Sequence, residues 1–392
     1  MTELDGRITD EALSKLRGRF GQQFPIEYPH IRFVNADSIR NIAYGIGDTN
    51  PLYTDPNHAA RSRFGRLVAP PAMLYGAGWG SADLRRGDGL PGVHALHSGD
   101  VWWYYRPILD GDEIHAVKSH IKADPMTGRL AGKRMVMQVK EILFYNQDNA
   151  LVAKQHMPVI RAERAASRGK GRYAGVERAM WNAEDIASVD VELDSESARG
   201  AKTRYWEEVS LGDELDPVVK GPLTGSDMLV WLIAVGAAYN RTGKYWLRLR
   251  RELPNIFYTD PASGVPQAVE RVHWDEYMAA QIGMPGPYDY GSQRGAFATY
   301  FATNWVGDDG WVAHLDVQYR SMFFVGDVMR IGGKVTDKWR GAKSGTGFVE
   351  FTISSRNHRG EDIMPGKGVA ALPTRDGGPP AFPVDVAAEG RA

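Results

Sequence analysis

Residues 37–53 read Asp37-Ser-Ile-Arg-Asn-Ile-Ala-Tyr44-Gly-Ile-Gly47-Asp48-Thr-Asn50-Pro51-Leu-Tyr53. Ile39, Ile42, Ala43 and Ile46 recur at helical spacing, and Gly47 stands where a helix would end. A second stretch, Asp227-Met-Leu-Val-Trp-Leu-Ile-Ala-Val-Gly236, takes the corresponding place later in the chain. It is apolar all round, the pattern of a fully buried helix. The landmarks that follow come in the same order twice. Tyr53-x-Asp55-x-x-x-Ala59 answers to His273-x-Asp275-x-x-x-Ala279, and the turn Pro70-Pro71 to Tyr290-Gly291, each leading into a small-residue, aromatic helix. Tyr105-Arg106 before Gly111-Asp112 then answers to Tyr319-Arg320 before Gly326-Asp327. Two strands close each half, 134–145 with 151–160 and 347–355 with 366–372, with Asn146 and Asn357 at the matching hairpins. One unit is used twice.

A helix followed by an antiparallel meander is an α+β layout, a sheet wrapped on a central helix. Duplication lets the two open sheet edges pair into one sheet. The expected division is 1–160 and 204–373 as the two repeats, 161–203 as a linker, and 374–392 as a flexible tail. The linker begins Arg161-Ala-Glu-Arg-Ala-Ala-Ser-Arg-Gly-Lys-Gly-Arg172, whose charges read as solvated, and the tail is rich in Gly, Pro and Ala. Trp206 to Asp213 reads as a strand and turn opening the second half. Asp55 and Asp275 read as helix N-caps.

Composition narrows the chemistry. The 392 residues are 43% hydrophobic and 24% charged, which excludes disorder as the main state. Lys plus Arg is 47 against 48 for Asp plus Glu, so no global field recruits nucleic acid or an anionic membrane. The absence of cysteine removes thiolate metal sites and cysteine nucleophiles. The charged start lacks an apolar signal region, so the expected location is the cytoplasm. No dinucleotide fingerprint, phosphate loop or serine nucleophile elbow is present. His94 and His97 read as structural, Gly307-Asp308-Asp309-Gly310 as a hairpin turn, and Lys244–Arg251 as a solvated basic face. The run Trp102-Trp-Tyr-Tyr105 reads as sheet packing or one wall of a tunnel.

The segment Gly47-Asp48-Thr-Asn50-Pro51-Leu52-Tyr53 resembles the signature of the (R)-specific enoyl-CoA hydratases, the MaoC-like acyl dehydratases, except that Tyr53 replaces the signature's histidine. Val68-Ala-Pro-Pro71, Arg106-Pro107, His273-Trp-Asp275 and Pro287-Tyr-Asp-Tyr-Gly291 are similar to the same family. The resemblance implies a tandem, double hot-dog fold with a FAS1-like dehydratase N-terminal domain. It also implies a hydro-lyase acting on an acyl-CoA thioester: hydration of a trans-2-enoyl-CoA, or dehydration of the (R)-3-hydroxyacyl-CoA, by general acid/base activation of water. Coenzyme A enters as part of the substrate, and no metal or redox cofactor is expected. A homo-oligomer of the fused pair is possible in that family scheme, with no nucleic-acid or membrane partner.

The same resemblance assigns Asp48, His273 and Tyr53 to catalysis, and Asn50, Ala72 and Gly291 to substrate binding. The family's Asp/His pair is split here. The first half keeps Asp48 and Asn50 but carries Tyr53. The second keeps His273, but Ala237 stands at the aspartate position and an insertion, Asn240 to Val272, precedes the histidine. Three outcomes are open: a first-half site using Asp48 with the Tyr53 hydroxyl, a second-half site pairing His273 with an acid of the insertion such as Asp260 or Glu270, or binding without turnover. An acyl-CoA thioesterase and a non-catalytic acyl-CoA-binding subunit are the alternatives to a hydro-lyase.

Overall fold

The computed structural model describes residues 6–79, 90, 93–126, 134–163, 173, 175–237 and 239–391. In chain order the strands are β1 (Phe24–Pro25), β2 (His94–His97), β3 (Gly99–Tyr104), β4 (His115–Met126), β5 (Met135–Tyr145), β6 (Leu151–Ala162), β7 (Glu214–Lys220), β8 (Phe257–Thr259), β9 (Pro266–Ala268), β10 (Trp311–Gln318), β11 (Met329–Arg340), β12 (Gly347–Asn357) and β13 (Gly366–Leu372). Eleven of them form one sheet in the order β1-β4-β5-β6-β3-β10-β13-β12-β11-β7, with β2 added on β6. The seam is the antiparallel pair β3–β10, where Trp102 faces Leu315 and Val101 faces Asp316. The two inner edges therefore satisfy each other, as duplication leads one to expect.

The concave side of this sheet is filled by helices. Gly291–Val306 is buried from its second residue to its last, and its counterpart Met73–Gly78 is buried throughout. Outside them lie Ala36–Ile46 and Gly225–Val235, packed on each other so closely that a Cβ at Gly45 would stand 2.8 Å from that of Ala234. Both end where the repeat places a glycine. Gly47 takes the left-handed conformation (φ 67°) and Gly236 has φ 92°. At Gly236 a side chain is excluded twice over, because a Cβ would also lie 2.5 Å from His30. This is the double hot-dog α+β fold.

The structure corrects four expectations. Gly225–Val235 is not buried all round: Leu229 is 49% and Ile233 65% exposed, because this helix is an outer layer and its apolar outer side borders a groove. Arg161 is not solvated. It closes β6 with 2% exposure, donating to Gln138 Oε1 and to the carbonyls of Leu90 and Val93, so buried acceptors replace water; residues 164–172 lie outside the described residues. Trp206–Glu208 is a single 3-10 turn rather than a strand, with the Trp206 indole donating to the Phe348 carbonyl; the strand, β7, starts after the Gly212-Asp213 turn. The 374–392 tail is packed rather than frayed. Val384 is buried with its N–H on the Tyr105 carbonyl, and Phe382 meets Trp311 edge-on at 5.0 Å.

Candidate functional site

The two halves build two different polar clusters. In the first, the left-handed turn at Gly47 delivers Asp48 into the interior, where it is 4% exposed. Its Oδ1 accepts from the Asn50 N–H at 2.9 Å, while Oδ2 is buried without a hydrogen-bond partner. Burial pushes the Asp48 carboxyl up to about 6, against the pull of the Asn50 N–H and of the nearby Lys220 ammonium. Lys220, at the end of β7, donates to the Ile46 carbonyl at 3.0 Å and lies 3.6 Å from the Tyr300 ring centroid. Burial brings its ammonium down to about 8 despite Glu196 and Asp48. Glu196 accepts from the Tyr300 hydroxyl at 2.6 Å and from the Val219 N–H.

Tyr53 is buried, and burial together with Asp48 drives its ionisation far above the ordinary value. It stays a neutral hydroxyl and does not act as a base. The Asn50 side chain caps the Pro51–Thr54 turn through the Leu52 N–H at 3.0 Å. Ala72 is buried where Met73–Gly78 begins. Lys220, Glu196 and Tyr300 were not singled out from sequence. A lysine at the end of the Leu215–Val219 strand was the available signal.

The second cluster is built by the insertion. After the β8–β9 hairpin the chain makes a 3-10 turn, Val269–His273, that carries both Glu270 and His273. His273 Nδ1 lies 2.8 Å from the Tyr288 carbonyl, which can only accept, so Nδ1 carries the proton. Burial lowers the imidazole to about 4, so the ring is neutral with Nε2 as its acceptor. The ring stacks on Tyr290, centroids 3.8 Å apart. Glu270 is 7% exposed, Oε2 accepts from Asn240 Nδ2 at 2.6 Å, and burial raises its carboxyl to about 7. The buried pair Asp289–Arg294 anchors the segment just before Gly291, which opens the long buried helix. A Cβ at Gly291 would stand 2.8 Å from that of His97.

A groove of about 940 Å³ lies beside this second cluster, lined by Tyr28, His30, Trp79, Gly236, Asn240 and Trp274 among others. A narrow inner recess shares Trp79 and Gly236 with it and reaches Tyr290 and Ser292. Asp48 and His273 thus sit in separate surroundings, as a pseudo-symmetric pair of sites requires. Asp260 is not the histidine's partner, because it bonds the Ala262 N–H and Ser263 and faces Arg271.

The remaining motifs are structural. Asp55 and Asp275 cap their helices. His97 and Asp100 pair at 3.0 Å, and Asp308 receives His58 at 2.6 Å. Trp102 and Tyr104 stack in the core. Among the described residues no His/Cys/Asp/Glu group has metal-site geometry, and no helix is long and apolar enough to cross a membrane.

The profile of the FAS1-like, dehydratase domain region matches residues 23–155. A protein of Thermobifida fusca named UPF0336 is 32% identical over 123 residues, 30% of this chain and 76% of that protein. The chain belongs to the UPF0336 family. A UPF0336 protein of Streptomyces avermitilis is 30% identical over 97 residues, 24% of the chain and 63% of the relative. That match, like the 65% for a Parafrankia relative, spans just under two thirds of those proteins. A solved structure named MaoC-like dehydratase superposes with TM-score 0.63 at 18% identity, covering 91% of this chain and 99% of that one. A Mycobacterium tuberculosis protein described as having a double hotdog fold gives 0.54 at 12% identity over 90% and 96%. These likenesses bear on the fold.

Proposed function

We propose that the second-half site adds water to, or removes it from, the acyl chain of a coenzyme A thioester, interconverting a trans-2-enoyl-CoA and an (R)-3-hydroxyacyl-CoA. The observation that carries this reading is the groove of about 940 Å³ whose inner recess reaches Tyr290, the ring stacked on His273, and Ser292 at the start of the Gly291–Val306 helix. That volume is of the size that accommodates an organic ligand. The first N–H groups of a helix have no intrahelical partner, so Gly291 and Ser292 can hold a thioester oxygen as it gains enolate charge. The neutral His273 ring offers Nε2 to orient a water over the β-carbon. Attack forms the C–O bond, the double-bond pair moves onto the thioester oxygen, the water's second proton passes to a base, and a proton returns to the α-carbon.

Purified protein and an enoyl-CoA in heavy-oxygen water test the reading. Label on the β-carbon is the expected result. Label in a free carboxylate with thiol released would establish a thioesterase instead.

A further inference from the structure

Ala237 occupies the place of the family's aspartate, so His273 has no carboxylate from its own repeat. Resting on the hydro-lyase reading above, we propose that Glu270, supplied by the insertion, is the general base of the second-half site. A 3-10 helix has three residues per turn, so side chains at i and i+3 eclipse. Glu270 and His273 are such a pair within the Val269–His273 turn and leave it on one face. Tyr290 joins them: its ring stacks on His273 and its hydroxyl interacts with Glu270.

The carboxylate is aimed and incompletely used. Asn240 holds Oε2, whereas Oε1 is buried with no hydrogen-bond partner, and the Tyr290 hydroxyl also lacks a formed bond. Buried polar atoms are costly to leave unmade, and a water or substrate hydroxyl reaching Oε1 would satisfy it. Asn240 lines the groove and begins the insertion, while Glu270 stands near its end, so their hydrogen bond joins the two ends of the inserted loop and holds the carboxylate directly behind a groove-lining residue. The charged and titratable neighbours of Glu270 are Arg241, whose guanidinium is fixed on the Ala237 and Asn240 carbonyls, Tyr290, and His273 on the same turn. In hydration Glu270 takes the proton from the attacking water as the C–O bond forms. The resulting carboxylic acid then returns a proton to the α-carbon as the enolate collapses, leaving the carboxylate for the next turnover.

The test compares the full-length wild-type protein with Glu270→Gln, and with Ala237→Asp placed in that background, using an enoyl-CoA. Glu270→Gln should lower kcat by ~10²–10⁴-fold with KM changed only a few fold and the melting temperature kept. Wild-type kcat should fall as pH drops below about 7, and the residual Glu270→Gln rate should lack that limb. Ala237→Asp should restore at least about ten-fold of the loss, because it returns a carboxylate to the family's position. If Glu270→Gln does not fold, Glu270→Asp serves: a lowered kcat with a displaced acid limb supports the assignment, and an unchanged profile overturns it. Wild-type turnover by folded Glu270→Gln overturns the assignment alone. Absence of hydration by the wild-type protein overturns it together with the hydro-lyase reading.

Discussion

The Lys220 ammonium donates to the Ile46 carbonyl at 3.0 Å, tying the last strand of the sheet to the end of the Ala36–Ile46 helix. The same Nζ faces Asp48, Glu196 and the Tyr300 ring. It is a buried cation shared by a buried and a half-buried carboxylate. Lys220→Met should therefore cost about 3–5 kcal/mol, since removing one partner of a buried ion cluster leaves uncompensated charge. With Asp48→Asn added, the loss should shrink by ~0.5–3 kcal/mol. Urea unfolding of the four proteins of the cycle measures this, and strictly additive losses would mean the two groups do not communicate.

Asp48 also makes stability depend on pH in a defined direction. Its folded pKa of about 6 lies above the ordinary 3.8, so the folded chain binds the proton more tightly. The group's contribution is full below about pH 4 and is lost as pH rises through 6. A displacement of that size corresponds to about 3 kcal/mol. Asp48→Asn should therefore gain on the wild type by up to that amount between pH 4 and 7. Parallel stability curves for the two proteins would contradict this.

The repeat was legible because helix period, capping glycines and aspartate N-caps are local properties. The seam β3–β10, the equivalent helices and the caps at Asp55 and Asp275 follow from it. What sequence reasoning missed depends on what lies opposite in space. Arg161 resembles a linker residue until Gln138 and two carbonyls are known to face it, and the Pro/Gly-rich tail looks loose until Phe382 finds Trp311. Glu270 could be named as a possible acid of the insertion, but only the 3-10 turn separates it from Asp260. The apolar sequence of Gly225–Val235 reported hydrophobicity correctly and burial incorrectly, since part of that apolar surface borders a groove.

A buried carboxylate locks the halves together at the sheet seam. Asp100 is 0% exposed and accepts from the hydroxyls of Tyr75 and Tyr319 at 2.6 Å each and from Gln155 at 2.7 Å, with His97 at 3.0 Å. Asp100→Ala should cost at least about 3 kcal/mol, because it strands several buried polar groups. Gly295→Ala should strike the same network, its Cβ falling 2.1 Å from the Tyr75 hydroxyl, at about 1–3 kcal/mol. Both read out as lowered urea midpoints, and a midpoint unchanged by either would show the seam tolerates its loss.

Removal of residues 374–392 should destabilise the protein. It strips Phe382 from Trp311 and Phe64 and takes away the buried Val384. Burial of two such side chains is worth about 3–6 kcal/mol before entropy is counted. The truncated chain should melt earlier and show Trp311 more accessible to a fluorescence quencher. Identical melting would mean that the tail's contacts are not maintained in solution.

The two clusters should respond unequally when catalysis is measured. His273→Gln removes the imidazole from the second-half site and should lower turnover of an enoyl-CoA by ~10²–10⁴-fold. Its neutral ring, with a pKa near 4, should put no limb of its own into the rate profile between pH 5 and 9. Asp48→Asn should leave turnover within a few fold, because Asp48 is buried among Asn50, Lys220 and Glu196, whereas the recess reaches Tyr290 beside His273. A large loss from Asp48→Asn with none from His273→Gln would place the reaction in the first half, and the groove at the second would then serve binding alone.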